Sequence, residues 1–104
     1  MNRKELLKQI KKAVQNVEPE AEIILYGSRS RDDANKESDW DLLIKVDNPM
    51  TDERTDRIRH SLYNVEWDSG EVISSIIRTN DEWNSSLYQA MPFYQKVEQE
   101  GIKL

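Results

Sequence analysis

Two short apolar runs, residues 22–26 and 39–46, set the fold class of this 104-residue chain. Both are rich in isoleucine, leucine and aromatic residues and are bounded by glycine or polar segments, so both are predicted to be buried strands. A third run, residues 72–78, is predicted to be a strand interrupted by two serines. The chain is therefore predicted to form one α/β domain over residues 1–104, an α+β arrangement in which about four helices flank a small mixed sheet of three or more strands.

Helical periodicity precedes the first strand. Leu6, Ile10 and Val14 recur at helical spacing before Pro19, which predicts a first helix over residues 3–16. This segment also carries five cations: Arg3, Lys4, Lys8, Lys11 and Lys12. Its basic face is either simply solvated or a docking surface for an acidic partner or a polyphosphate.

The segment between the first two strands, residues 27–38, is polar throughout and is predicted to be a loop. After the second strand, Thr51 is the predicted N-cap of a second helix that ends near Trp67. Its apolar stripe has the spacing of a helix that packs on a core.

The C-terminal third predicts further helix. Thr79 or Asn80 is expected to cap a helix with an apolar side formed by Trp83, Leu87 and Ala90. Pro92 must kink that helix or begin another, because proline cannot donate the backbone hydrogen bond of a helix interior. Gly101 is predicted to end the helix that follows Pro92, as a left-handed C-terminal cap.

Composition excludes several classes of site. The chain has no cysteine and one histidine, His60, so disulfides, thiol nucleophiles and iron–sulfur clusters are excluded, and a histidine-based metal site or hydrolase is disfavoured. His60 is predicted to be an ordinary surface or helix residue. No apolar run reaches the roughly 18 residues of a membrane span, and the charged N-terminal segment does not resemble a secretory signal, so a cytoplasmic location is expected. A net charge of −5 disfavours broad nucleic-acid binding.

Asp39 and Asp41 stand two residues apart at the start of the second strand. Successive side chains of a strand point to opposite faces, so both carboxylates point the same way, about 6.6 Å apart along the strand. In proteins Mg²⁺ is usually held by one or two carboxylates together with substrate phosphates. This pair is therefore the predicted metal-binding and catalytic site.

Gly27 and Ser28 directly follow the first strand and supply the complementary half of this site. A glycine without Cβ lets phosphate oxygens approach main-chain N–H groups, and the serine hydroxyl adds a donor. Arg29 and Arg31 follow, and their guanidinium groups suit a triphosphate and its pyrophosphate leaving group. These four residues are the predicted nucleotide-binding residues.

The combined pattern of Gly27-Ser28, ten residues, and Asp39-Trp40-Asp41 resembles the signature of the minimal nucleotidyltransferases of the DNA polymerase beta superfamily. The specific part of the resemblance covers residues 23–46. It implies a nucleotidyltransferase fold and transfer from a nucleoside triphosphate, with AMP from ATP expected, Mg²⁺ as cofactor and a hydroxyl of a protein or small molecule as acceptor. Such domains are often paired with a helical HEPN-domain toxin, which they bind and modify as the antitoxin, so the resemblance implies a partner of this kind.

One departure from the family pattern is evident. Members that transfer a nucleotide generally carry a third carboxylate on the next strand, where this chain has Ser74. A hydroxyl is neither an anionic ligand nor a base near neutral pH. Glu71 is a neighbouring acid, but in a regular strand it faces away from Ser74. Either transfer proceeds with solvent or another chain's carboxylate as the proton acceptor, or it is slow or absent.

Two other functions stay open. The first is a catalytically degenerate binding module that acts by contact with a partner, which Ser74 and the basic first helix favour. Its interface anchors would come from the tryptophans Trp40, Trp67 and Trp83, if they do not belong to the core. The second is a homodimer without a ligand, joined through an apolar C-terminal group formed by Phe93, Tyr94 and Val97.

Overall fold

A computed structural model describes residues 1–31 and 39–104 of the chain. In this part of the protein, five α-helices and four strands follow one another in the order α1 (Arg3–Val17), β1 (Glu22–Tyr26), a 3-10 turn (Ser28–Ser30), β2 (Trp40–Val46), α2 (Asp52–Ser69), β3 (Ile73–Thr79), α3 (Asn80–Trp83), α4 (Ser86–Gln89), α5 (Pro92–Glu100) and β4 (Ile102–Lys103). The predicted α/β fold with a mixed sheet is confirmed. The remainder of the predicted loop, residues 32–38, lies outside the described residues.

The strands form one mixed sheet in the order β3-β2-β1-β4. β1 runs antiparallel to both β2 and β4, whereas β2 and β3 are parallel. The parallel pair requires a crossover connection, which α2 provides. β1 and β2 are thus the central strands, and the predicted site residues lie at the end of β1 and the start of β2.

Each face of the sheet carries its own core. α1 and α2 cover one face, where Leu6, Ile10, Ile58 and Leu62 pack with Leu42 of β2. The C-terminal helices cover the other face, where a smaller cluster is formed by Tyr26, Leu43, Trp83 and Val97, with Phe93 and Tyr94 packed against it. The apolar C-terminal group that the sequence offers as a dimer contact therefore covers the sheet of its own chain. Alternation along β2 places Trp40 and Leu42 under α1 and α2, and Asp41 and Leu43 on the second face.

Several helix ends follow from local capping. The side chains of Asn2 and Thr51 accept hydrogen bonds from the first turns of α1 and α2, and Thr79 forms a capping box with Glu82. Gly70 ends α2 in a left-handed conformation, with φ of 74°. α2 therefore runs two residues beyond the predicted end near Trp67.

Two predictions for the C-terminal third are wrong. The single helix expected before Pro92 is two short helices, because Ser85 starts a new one by accepting a hydrogen bond from the N–H of Tyr88. The predicted left-handed cap at Gly101 is absent, since its φ is −63° and the chain continues in an extended conformation into β4. β4 itself, only two residues long, has no strand signal of its own in the sequence.

The three tryptophans have different environments. Trp40 and Trp83 are buried in the two cores, whereas Trp67 on α2 is 79% exposed. His60 is exposed on the same helix, as predicted. Across the described ranges, no helix combines the length and the apolar character needed to cross a membrane.

Candidate functional site

Asp41 lies in a row of three side chains across the sheet. It is the register partner of Tyr26 on β1 and of Ser74 on β3. Residues directly opposite each other on neighbouring strands share a face, so the three side chains are neighbours. Asp39 directly precedes β2 and is exposed. The row therefore places one carboxylate at the centre of the sheet, with a phenol on one side and a hydroxyl on the other.

Asp41 is electrostatically unusual. Partial burial raises the pKa of its carboxyl group, the negative charge of Asp39 raises it further, and the positive charge of Lys96 acts in the opposite direction. Burial likewise raises the pKa of the Tyr26 phenol, with a further contribution from the charge of Asp41. The negative charges of Asp39 and Asp41 lie close enough together that a cation between them would be stabilised.

Gly27 forms the bend beside this carboxylate. Its φ of 75° and ψ of −160° belong to a region that essentially only glycine occupies. A Cβ placed on Gly27 would lie 2.5 Å from Asp41 Oδ2, so the carboxylate fills the space that any side chain would need. The carbonyl of Gly27 accepts hydrogen bonds from the Ser30 hydroxyl and the Ser30 N–H, which close the turn. The structure thus brings Gly27 and Asp41 into direct contact.

The other predicted nucleotide-binding residues follow this bend. Ser28 begins the 3-10 turn and is partly buried. The guanidinium carbon of Arg29 lies 4.5 Å from the centre of the Trp40 ring, on the α1 and α2 side of the sheet. Arg31 forms an ion pair with Glu100 of α5, with 2.8 Å between Nη1 and Oε1. The side chain of Arg29 is thus placed on the face opposite Asp41, and Arg31 connects the turn to the end of α5.

Neither Glu71 nor Ser74 supplies a third carboxylate beside Asp41. The carboxylate of Glu71 accepts a 3.1 Å hydrogen bond from Trp40 Nε1, so it lies on the side of the sheet that Trp40 faces. Ser74 is exposed and adjoins Asp41 in register, with only a hydroxyl to offer. The prediction that Glu71 and Ser74 face opposite sides is confirmed.

Lys96 lies near the site and belongs to no motif in the sequence. It belongs to α5, where Phe93 packs edge-on against Tyr26 with 5.3 Å between ring centres. About two turns after Phe93, Glu100 forms the ion pair with Arg31. Lys96 therefore lies between two contacts that fix α5 over the row of Asp41, and its charge acts on that carboxyl group. Helical spacing from Phe93 is the only sequence signal, and it does not reveal which strand α5 covers.

The residues present fit part of a Mg²⁺ site. Within residues 1–31 and 39–104, no group of three or more histidine, cysteine, aspartate or glutamate side chains is placed to hold a metal ion. Asp39 and Asp41 provide two carboxylates whose mutual repulsion a divalent cation would relieve. Two carboxylates with substrate phosphates and water as the remaining ligands are a common arrangement for Mg²⁺.

Comparison with known proteins identifies the family. A family model described as a nucleotidyltransferase domain matches residues 7–97, which include most of both cores, the glycine bend and the two aspartates. None of the curated proteins matches the chain. The family supports a general nucleotidyl-transfer function with a nucleoside triphosphate as substrate, and domains of this kind generally use Mg²⁺. The chain belongs to the nucleotidyltransferase domain family.

Proposed function

We propose that this protein transfers AMP from ATP to a hydroxyl group of a partner protein or small molecule, with Mg²⁺ held by Asp39 and Asp41. The observation that carries the proposal is the contact between the Asp41 carboxylate and the Gly27 bend, where a side chain at position 27 would collide with Asp41 Oδ2. This contact supports the proposal because it brings an anionic side chain next to the glycine turn, and nucleotidyl transfer needs a metal ligand beside a phosphate-binding turn.

The chain's own residues have separate roles in this proposal. Gly27 and Ser28 bind phosphate oxygens through the backbone and the serine hydroxyl. Arg29 and Arg31 are the predicted cationic residues of the same turn, and because the Arg29 side chain lies on the opposite face of the sheet, direct contact with the triphosphate is proposed for Arg31. Bound Mg²⁺ would neutralise charge on the phosphates and polarise the α-phosphate. The acceptor oxygen then attacks the α-phosphorus, the bond to the β-phosphate oxygen breaks, and pyrophosphate leaves. The acceptor's proton goes to solvent or to a carboxylate of another chain.

The rate should be modest because Ser74 occupies the place of a third carboxylate. Loss of one general base typically slows a reaction about 10²- to 10⁴-fold, so transfer is expected to be slow but measurable. A helical HEPN-domain toxin is the proposed macromolecular acceptor, with this protein as its antitoxin in the cytoplasm. The support for that partner is the family resemblance of the Gly27-Ser28 and Asp39-Trp40-Asp41 motif.

Ligand-dependent unfolding tests the nucleotide site. Millimolar Mg-ATP is expected to raise the unfolding temperature of the wild-type protein, because a ligand that binds only the folded state stabilises it. The double variant Asp39→Asn, Asp41→Asn should lose this shift, and so should the wild type with ATP and excess EDTA. Transfer of label from α-labelled ATP to a partner then tests the chemistry. Absence of a shift in the wild type would contradict the proposal.

A second function is a binding module that acts by contact alone. Two observations favour it: the hydroxyl of Ser74 beside Asp41, and the 79% exposed ring of Trp67, since tryptophan is enriched at binding hot spots. Co-purification with the product of a neighbouring gene distinguishes the two functions. Pairing that survives Asp39→Asn with Asp41→Asn, without label transfer by the wild type, would favour the binding module.

A further inference from the structure

Four side chains from four parts of the chain meet on the face of the sheet opposite Asp41. We call them the tryptophan cluster: Arg3 of α1, Arg29 of the 3-10 turn, Trp40 of β2, and Glu71 just before β3. Trp40 Nε1 donates a 3.1 Å hydrogen bond to Glu71 Oε2, and the same oxygen lies 3.8 Å from Arg29 Nη2. The guanidinium groups of Arg29 and Arg3 lie 4.5 and 5.6 Å from the Trp40 ring centre.

The cluster also holds the backbone of the glycine–serine turn. Arg3 Nη1 donates a 2.6 Å hydrogen bond to the carbonyl oxygen of Arg29, one residue after Ser28. The Arg29 side chain is only 14% exposed. The turn is therefore fixed to α1 through its backbone and to Trp40 and Glu71 through a side chain.

Trp40 connects this cluster to the metal-binding pair, because it stands between Asp39 and Asp41 in sequence. The contacts that hold the Trp40 side chain also restrain the main chain at residue 40, on either side of which the two carboxylates project. The tryptophan cluster thus joins the two halves of the site, the phosphate-binding turn and the carboxylate pair, from behind the sheet.

We propose that Glu71 is a positioning residue of the nucleotide site, which sets the Gly27-Ser28 turn relative to Asp39 and Asp41 by holding Arg29 and Trp40 together. The inference rests on the proposed function and deepens it. Glu71 is the acid nearest to the missing third carboxylate in sequence, yet its Oε2 atom is engaged by Trp40 and Arg29 on the opposite face. It therefore acts through other residues and accepts no proton from the acceptor hydroxyl.

The expected loss of Mg-ATP affinity on removal of Glu71 can be judged from residues that orient metal ligands in other proteins. Residues that orient the ligands of a metal site typically change its affinity by 10- to 100-fold when they are removed. The present contact is partly exposed, with the Glu71 side chain at 35%, so the lower part of that range is expected. Glutamine at position 71 keeps an oxygen that accepts from Trp40 Nε1 and loses only the charge opposite Arg29.

The experiment compares Mg-ATP affinity, by calorimetry, among the wild type, Glu71→Gln, Glu71→Ala and a control, Glu20→Ala, in the exposed turn before β1. Glu71→Ala should weaken binding about tenfold, whereas Glu71→Gln and Glu20→Ala should stay within about threefold of the wild type. The variant Trp40→Phe, which lacks the indole N–H, should weaken binding similarly, and adding Glu71→Ala to it should weaken binding little further. If Glu71→Ala folds poorly, Trp40→Phe alone still tests the contact, because it removes the indole N–H that Glu71 accepts from.

Turnover separates positioning from base catalysis. If Glu71 were the general base, Glu71→Gln would lower kcat about 10²-fold or more, with unchanged affinity and a lost acidic limb of the pH–rate profile. That result would overturn the proposal, and so would a Glu71→Ala protein with wild-type affinity. A wild-type protein that does not bind Mg-ATP would overturn the proposed function itself and this inference with it. Wild-type binding with no effect of Glu71→Ala would overturn the inference alone.

Discussion

The Asp41 carboxylate occupies the space beside Gly27 that a side chain there would fill, with only 2.5 Å between Oδ2 and the position of a Cβ. Gly27 also has a positive φ of 75°, with ψ at −160°. Two independent constraints, backbone conformation and contact with a carboxylate, therefore require glycine at this position. The same bend is the predicted phosphate-binding turn, so its stability and its function depend on one residue.

Gly27→Ala is expected to destabilise the fold by about 1–3 kcal/mol and to abolish the Mg-ATP shift, because the new methyl group displaces Asp41. Gly70→Ala is the matched control. Gly70 also has a positive φ, of 74°, but a Cβ there meets no atom within 4 Å. Its substitution should cost about 1 kcal/mol and leave the ligand shift intact. Thermal unfolding with and without Mg-ATP measures the stability and the ligand shift of each variant. Equal ligand shifts in Gly27→Ala and Gly70→Ala would contradict the expectation that only the former loses the shift.

Asp41→Asn is expected to stabilise the metal-free protein at neutral pH. The fold raises the pKa of Asp41, so the folded state favours the protonated acid more strongly than the unfolded chain does. The protonated Asp41 therefore adds to the stability of the folded state. This stabilisation is fully present below the pKa of aspartate in the unfolded chain, about 3.9, and is lost as pH rises through the pKa of Asp41 in the folded protein. At pH 7 the variant should melt at a higher temperature than the wild type, and the difference should shrink near pH 4. Calorimetry without Mg²⁺ checks this, and a variant that melts lower at pH 7 would refute it.

Lys96→Ala is expected to weaken Mg-ATP binding roughly threefold, because a partly solvated charge contributes up to about 1 kcal/mol. The charge of Lys96 lowers the pKa of Asp41. Without Lys96, Asp41 should take up its proton at a higher pH, so acidification should weaken Mg-ATP binding at a higher pH than in the wild type. Lys96→Arg keeps the charge and should bind like the wild type. Lys8→Ala, on the exposed side of α1, is the control. Titrations at pH 5 and pH 7 measure the effect, and a Lys8 variant as weak as the Lys96 variant would point to general charge alone.

Glu18 and Arg54 tie the end of α1 to the start of α2. Arg54 donates hydrogen bonds of 2.6 and 2.9 Å to the two carboxylate oxygens of Glu18, and this contact holds the pKa of Glu18 below its usual value. Stabilisation from the pair is present above the unfolded pKa of glutamate, about 4.3, and is lost as pH falls through the lowered value. Arg54→Lys, which loses the bidentate geometry, should destabilise the protein by about 1 kcal/mol at pH 7.

The exposed ion pair between Lys103 and Glu22, 3.5 Å apart, provides the comparison for Arg54→Lys. Lys103→Ala should change the free energy of unfolding by less than about 0.5 kcal/mol. Urea unfolding at pH 7 and pH 4 measures both variants. The expectation for Arg54 would be wrong if its variant matched Lys103→Ala at pH 7, or if its loss of stability grew at low pH.

Much of the site's arrangement along each strand could be predicted, because strand alternation is a local property. It indicated that Glu71 and Ser74 face opposite sides, and the structure agrees. The partners of Arg29 and Arg31 could not be predicted in the same way. Both stand in a polar segment without periodicity, and their contacts include Trp40, Glu71 and Glu100, up to 69 residues away in sequence.

Residue order and local sterics alone determined the first three strands and the main helices, the family motif, and the helix cap at Thr51. Only the tertiary structure decided that α5 lies over Tyr26 and brings Lys96 towards Asp41, that Trp67 stays in solvent, and that Gly101 leads into a strand. The physical reason is the range of the forces involved. Backbone preferences and side-chain alternation act over a few residues, whereas the packing of helices on a sheet depends on the complementarity of surfaces far apart in the chain.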